Sequence, residues 1–194
     1  MPHLSFYFDY RSPYAYLAHT QLRKLGADIA YRPFEILGLM EKVGNVPTSV
    51  TCKPKSRYVM TDLRRWVAHY GVPFERNPQM SGVDPKRLLR ATLWAADQGQ
   101  AGEVVTALYD AMWGSPRPLA TPSDVADVLG SVGVSGANLE TAMDDPAWDG
   151  ALERATNEAV ERGVFGAPCM FVGDQMFFGA DRLDFVRAEL ERAA

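Results

Sequence analysis

YFDYRSPYAY (residues 7–16) passes from an aromatic, β-prone stretch through Asp9 into Ser12-Pro13, and that passage decides how the chain is built. Residues 3–9, HLSFYFD, alternate and are rich in aromatics, which predicts a buried strand. Ser followed by Pro predicts a helix start. The hydroxyl accepts from free backbone N–H groups, and Pro fills the first helical position, where no N–H is needed. From there Tyr16, Leu17, Thr20 and Leu25 recur at helical spacing until Gly26. ADIAYRPFEI (27–36) predicts a second strand. Strand, helix and strand within about thirty residues predict a βαβ unit and a parallel pair.

Working outward, residues 38–54 contain two Gly and two Pro with few periodic positions, so they read as a loop or short helices. Helical patterns resume at SRYVMTDLRRWVAHYG (56–71), where Tyr58, Leu63, Trp66, Val67 and Tyr70 form an apolar stripe. Further helical stretches are PKRLLRATLWAADQG, AGEVVTALYDAMWG, TPSDVADVLGSVG and PAWDGALERATNEAVERG. Several open on a capping residue or Pro and close on Gly. PCMFVGDQMFFG (168–179) then reads as two short strands turning at Gly173-Asp174, and DRLDFVRAELERAA as an amphipathic closing helix. The order βαβ, helices, ββα predicts an α/β chain: a thioredoxin-like sheet interrupted by a large all-helical insertion. Residues 1–59 and 161–194 are expected to form the thioredoxin-like domain and 60–160 the insertion.

The 194 residues, 47% hydrophobic and 23% charged, are ordinary for a soluble globular protein. A net charge of −4 without clustered Lys and Arg argues against nucleic acid, and no stretch has the ~20 apolar residues of a membrane span. MPHLSFYFDY has no basic n-region or cleavage site, so a cytoplasmic location is expected. Cys52 and Cys169 are far apart in sequence, and a pair of free thiols in a reducing compartment is expected. Cys169 reads as a buried small hydrophobe, and neither it nor His3, His19 and His69 has the spacing of a metal site. Trp66, Trp94, Trp113 and Trp148 read as core residues on helix faces.

Three stretches carry chemistry. Ser12 at a helix N-terminus is explained by capping, yet the same free amides and partial positive charge stabilise an anion such as a thiolate. Ala167-Pro168 opens a strand, where an exposed backbone could pair with an extended peptide. Asp181 stands just before the last helix, where a cap is the common reading. A carboxylate beside free amides could also hold a zwitterion such as a γ-glutamyl group.

In this order and context the chain resembles the 2-hydroxychromene-2-carboxylate isomerases, relatives of the kappa-class glutathione transferases and of the thiol oxidase DsbA. The resemblance covers FDYRSPYAYLA, FEILGLMEKVGN, the YVMTDLRRWV helix, ALYDAMWG and VFGAPCMFVGDQMFFGADRL, the first and last being the specific segments. It implies a fold of the DsbA and kappa type, with a cis bond before Pro168. It implies glutathione as cofactor, with Ser12 on its sulfur as the catalytic contact and Ala167 pairing with its cysteinyl backbone. Phe178, Gly179, Ala180 and Asp181 would surround its γ-glutamyl end. A small aromatic acid would lie over Lys42, Asn45, Lys53 and Lys55, and a homodimer is expected. The chain departs from the family pattern at Ala167 and Cys169, where Val and Thr are usual, and at Ala180, where Asn or Ser is usual. Ser12 and Ala15 occupy the positions of a redox thiol pair, so disulfide exchange by the protein is not expected. The function implied is glutathione-dependent isomerisation of 2-hydroxychromene-2-carboxylate or a related aromatic α-keto acid. The alternatives are a kappa-like transferase and a non-catalytic DsbA-like binder of thiols or peptides.

Overall fold

Strand β1 (His3–Phe8) sends side chains to both faces of the sheet, which sets the layering. Leu4, Phe6 and Phe8 are fully buried in one hydrophobic cluster, while Tyr7 joins a second with Phe34, Leu39, Cys169 and Phe171. Both faces are therefore covered, as a sheet with a parallel βαβ crossover requires. The computed structural model describes residues 3–193.

After β1 come α1 (Pro13–Leu22) and β2 (Asp28–Pro33), which lies parallel to β1 with His3 opposite Asp28 and Phe8 opposite Pro33. Next are α2 (Ile36–Lys42), the single turn α3 (Thr48–Thr51) and α4 (Lys53–Tyr70). The helical block continues with α5 (Pro85–Ala96), α6 (Ala101–Tyr109), α7 (Pro122–Gly130), α8 (Leu139–Asp144) and α9 (Pro146–Glu161). Strands β3 (Cys169–Val172) and β4 (Gln175–Phe178) form the expected hairpin, and α10 (Leu183–Arg192) follows. The sheet order is β2-β1-β3-β4, with β3 antiparallel to β1 and Tyr7 opposite Cys169. The Ala167–Pro168 bond is cis. The fold is the α/β arrangement read from the sequence.

The helix starts follow local chemistry. Ser12-Pro13, Asp84-Pro85, Thr121-Pro122 and Asp145-Pro146 each place a capping side chain on a backbone N–H and Pro in the first turn. At the other end of α4, Gly71 takes φ 62°, a left-handed turn that glycine enters without a side-chain clash.

Several boundaries differ from the sequence reading. Glu35 and Ile36 are not strand: the Glu35 carboxylate caps α2 by accepting from Leu37 and Gly38 N–H. Helix α4 starts at Lys53 rather than Ser56, so residue 60, the expected start of the insertion, lies within it. Of its expected stripe only Leu63 is buried, and Tyr58 is 56% exposed. Trp94 and Trp113 are buried, and Trp66 and Trp148 pack against the core from partly exposed positions. Helix α6 passes into a π turn at Asp110–Gly114, and the short α8 lacked a readable pattern. Among the described residues no helix is long and apolar enough to cross a membrane. Cys52 is exposed, Cys169 is buried, and both are free.

Candidate active site

The turn between β1 and α1 is held from four elements, which fixes where Ser12 lies. Tyr10 donates its hydroxyl proton to Thr92 Oγ1 on α5 (2.6 Å), and Thr92 passes its own to the Leu88 carbonyl (2.9 Å). Tyr109 of α6 donates to the Asp9 carbonyl (3.3 Å), and Trp113 Nε1 in the π turn donates to the Tyr10 carbonyl (2.8 Å). The Asp9 carboxylate accepts from Ile36 N–H of α2 (3.0 Å). Ser12 N–H closes the turn on the Asp9 carbonyl at 3.0 Å.

Ser12 is the N-cap of α1. Its Oγ accepts from Ala15 N–H (3.2 Å) and donates to the Ala167 carbonyl (3.3 Å), 155 residues away. The second bond is long for an O–H donor, so its proton is weakly held. Among the described residues the Ala167 N–H has no hydrogen-bond partner. The peptide before Pro168 thus meets the start of α1, with one backbone donor uncommitted.

The hairpin brings the third segment to the same place. Gly179 N–H donates to the Pro168 carbonyl (3.0 Å), and Cys169 lies opposite Phe178. Phe178 is 41% exposed, with its ring centroid 4.5 Å from that of Phe165. A Cβ on Gly166 would sit 3.2 Å from the Phe178 ring. Gly179 has φ 105°, and a Cβ there would come within 2.5 Å of Asp181 Oδ1, so the carboxylate folds back only over a glycine. Ala180 is buried, and its carbonyl accepts from Tyr70 of α4 (2.6 Å).

Asp181 does not cap α10. Arg182 occupies that position and no side chain caps it. The Asp181 carboxylate is instead partly exposed and pairs with Arg182 Nη1 at 2.5 Å. Burial and the nearby Asp181 and Asp184 charges push the Tyr70 hydroxyl up to about 12, so it stays a donor at neutral pH.

The four residues expected beneath the aromatic acid divide. Asn45 Nδ2 donates to the Phe165 carbonyl (2.8 Å), tying the end of α2 to the segment that carries Ala167. Lys42 turns away to Glu153 of α9 (2.8 Å). Lys55 donates to Thr48 Oγ1 (2.6 Å), and Lys53 is the exposed first residue of α4.

Sequence reasoning missed Tyr14, Asp62 and Arg11. Tyr14, two residues past Ser12, donates to Asp62 Oδ2 (2.8 Å) and pins the first turn of α1 to α4. Burial and the Asp62 hydrogen bond hold its hydroxyl well above the ordinary tyrosine value. Asp62 lines a groove of about 470 Å3 with Tyr58, Arg65, Trp66 and His69. The aromatics Tyr58, Trp66 and Tyr70, at i, i+8 and i+12, marked this face, but they read equally as core. A second cleft, of about 550 Å3 between β2, α5 and α9, contains none of the expected residues.

The chain matches the DSBA-like thioredoxin domain model over residues 3–191. It is 38% identical to the 2-hydroxychromene-2-carboxylate isomerase of Sphingobium xenophagum, covering 96% of this chain and 97% of that one. It is 27% identical to glutathione S-transferase kappa 1 of Caenorhabditis elegans, covering 99% and 92%. A solved structure of a 2-hydroxychromene-2-carboxylate isomerase superposes with a TM-score of 0.86 at 30% identity, covering 98% of this chain and 95% of that one.

Proposed function

The chain belongs to the DSBA-like thioredoxin domain family and, within it, to the 2-hydroxychromene-2-carboxylate isomerases, and from that premise we propose that it is a glutathione-dependent isomerase of 2-hydroxychromene-2-carboxylate or a related aromatic α-keto acid. The observation that carries the reading is the meeting of the Ser12 hydroxyl with the Ala167 peptide, 3.3 Å apart at the start of α1.

The residues present fit glutathione. The uncommitted Ala167 N–H and its carbonyl would pair with the cysteinyl backbone. The exposed Asp181 carboxylate would take the γ-glutamyl ammonium in competition with Arg182, and Phe178 would cover the chain between them. Bound there, glutathione supplies a thiolate that adds to and leaves a conjugated carbon, so that a double bond can turn as a single one. Ser12 would move its proton from the Ala167 carbonyl toward the sulfur and steady its charge, with help from the free amides of α1. Asn45, bonded to the Phe165 carbonyl, and Lys53, at the start of α4, would orient the acid. Cys169 would supply no thiolate, since burial pushes it up to about 12, and Ser12 and Ala15 stand where a redox pair would.

With both cysteines free, we place the protein in a reducing compartment, the cytoplasm. We also propose a homodimer, with residues 1–59 and 161–194 as the thioredoxin-like domain and 60–160 as the helical insertion.

The test is incubation with glutathione and the chromene carboxylate, followed by product analysis. An isomer formed with glutathione returned supports the reading. A released thioether would make the protein a transferase of the kappa type, and no turnover despite thiol binding would leave a binding protein.

A further inference from the structure

The turn that carries Ser12 also holds two carboxylates joined by one arginine. Asp9 is fully buried. Besides Ile36 N–H, its carboxylate accepts from the Arg11 N–H (2.8 Å), from Arg11 Nε (3.1 Å) and from Arg11 Nη2 (2.7 Å). The same Nη2 reaches the Glu35 carboxylate. Glu35 caps α2 and donates its backbone N–H to Thr156 Oγ1 of α9 (3.0 Å). One guanidinium thus links the end of β1 to α2, with α9 behind it.

The Arg11 guanidinium and the Glu35 carboxylate both stay charged near neutral pH. Burial works against the guanidinium, but its bonds to Asp9 and Glu35 hold it above its ordinary value. Burial likewise works against the Glu35 carboxylate, while Arg11 and the Gly38 N–H hold it below the usual range. On the Glu35 side, Lys86 of α5 and Asp149 and Glu153 of α9 line a hollow of about 380 Å3 with it. Glu153 is paired with Lys42, and Asp149 lies 3.2 Å from Arg90 Nε. From α6 only the Tyr109 hydroxyl arrives, and it goes to the Asp9 carbonyl rather than the carboxylate. Arg11 is therefore the one cation on the Asp9 carboxylate among the described residues.

Asp9 and Ser12 are the two ends of one hydrogen-bonded turn. The Asp9 carboxylate, buried at the head of that turn, opposes any second negative charge that forms beside Ser12, and a thiolate is such a charge. We infer that Arg11 is a positioning residue of the glutathione site: its one positive charge offsets half of the negative charge of Asp9 and Glu35 and locks the Ser12 turn onto α2, so that a thiolate can form beside Ser12. This rests on the glutathione reading and extends it to a side chain that need not touch the ligand. A clamp with no electrostatic role would change only stability.

The experiment is a pH titration of the ultraviolet thiolate absorbance of bound glutathione in wild-type protein, Arg11→Gln, Glu35→Gln and the double variant, with a melting curve for each. Arg11→Gln should raise the thiol midpoint by about one pH unit, since it uncovers two carboxylates. Glu35→Gln keeps an amide oxygen for the α2 cap and removes one charge, so it should lower the midpoint by roughly half a unit. The double variant should fall between Arg11→Gln and the wild type. Melting curves that move while the midpoints stay put would reduce Arg11 to a clamp and overturn the inference. Should Arg11→Gln fail to fold, Glu35→Gln decides alone, and an unmoved or raised midpoint there overturns it. Wild-type protein that binds no glutathione would instead overturn the functional reading, and this inference with it.

Discussion

Removing the Ser12 hydroxyl separates its two roles. As the cap of α1 it accepts from Ala15 N–H, and Ser12→Ala should cost about 1 kcal/mol of stability on that account. As donor to a thiolate it contributes a charge-assisted hydrogen bond of roughly 1.5–3 kcal/mol, so turnover per folded molecule should fall by about one to two orders of magnitude. The fall should shrink as pH approaches the ordinary thiol value near ~8.5, where the thiolate needs less help. A variant that melts lower but turns over normally would leave Ser12 as a cap alone. At the same scale, His19 governs acid stability. It is 2% exposed, with Nε2 3.2 Å from Thr106 Oγ1 and its Nδ1 unpartnered among the described residues. Burial, with Arg23 adding to it, lowers the folded value to about 3, against about 6.5 for a free imidazole. The unfolded chain therefore binds a proton that the folded one refuses. The contribution is fully present above about pH 6.5 and is lost, by up to about 1.4 kcal/mol per unit, as pH falls toward 3. Urea unfolding at pH 7 and pH 5 should show a larger loss in wild type than in His19→Phe. Equal losses would remove His19 from the account.

Among the elements, the turn from β4 to α10 carries the most testable geometry. Gly179 in the left-handed region brings the Asp181 carboxylate back over the turn, where Arg182 holds it and nothing is capped. Asp181→Ala should thus leave the fold near wild type, since no helix end depends on it. Its effect should be on glutathione, through the lost pair with the γ-glutamyl ammonium. Because the site is half exposed and Arg182 competes, the expected loss sits at the lower end for a charge-assisted bond, about tenfold in Kd. Calorimetric titration checks it, and an unchanged Kd would show that the ammonium binds elsewhere. Helix α4 contributes at this scale too: Tyr70 holds the Ala180 carbonyl, while Asp62 holds Tyr14 from the other end of the site.

For the whole molecule, the homodimer is the open expectation. Sedimentation at micromolar concentration should give twice the 21.5 kDa chain mass, and a species of 21.5 kDa alone would exclude it. The architecture itself was largely legible in the chain. Alternating Leu4, Phe6 and Phe8, the four cap-Pro dipeptides and the Gly173 turn act over one to four residues, and backbone sterics and hydrogen bonding at that range are properties of the local sequence. Where Glu35 capped a helix the strand was read past its end, and where α8 ran only six residues the element was missed, because those local rules gave too little contrast. The functional positions divide in the same way. Ser12 announced itself by its neighbour Pro13, but its bond to Ala167 spans 155 residues. The turn of Lys42 onto Glu153 spans 111 residues, and the link from Arg11 to Glu35 spans 24. Such pairings are chosen by which surfaces the packed sheet and helices bring face to face, and no local rule acts over that separation. The sequence by itself determined the order of the strands, the cap-Pro helix starts and the family of the site; the tertiary structure alone decided which charges meet there, because charge partners are selected by distance in space.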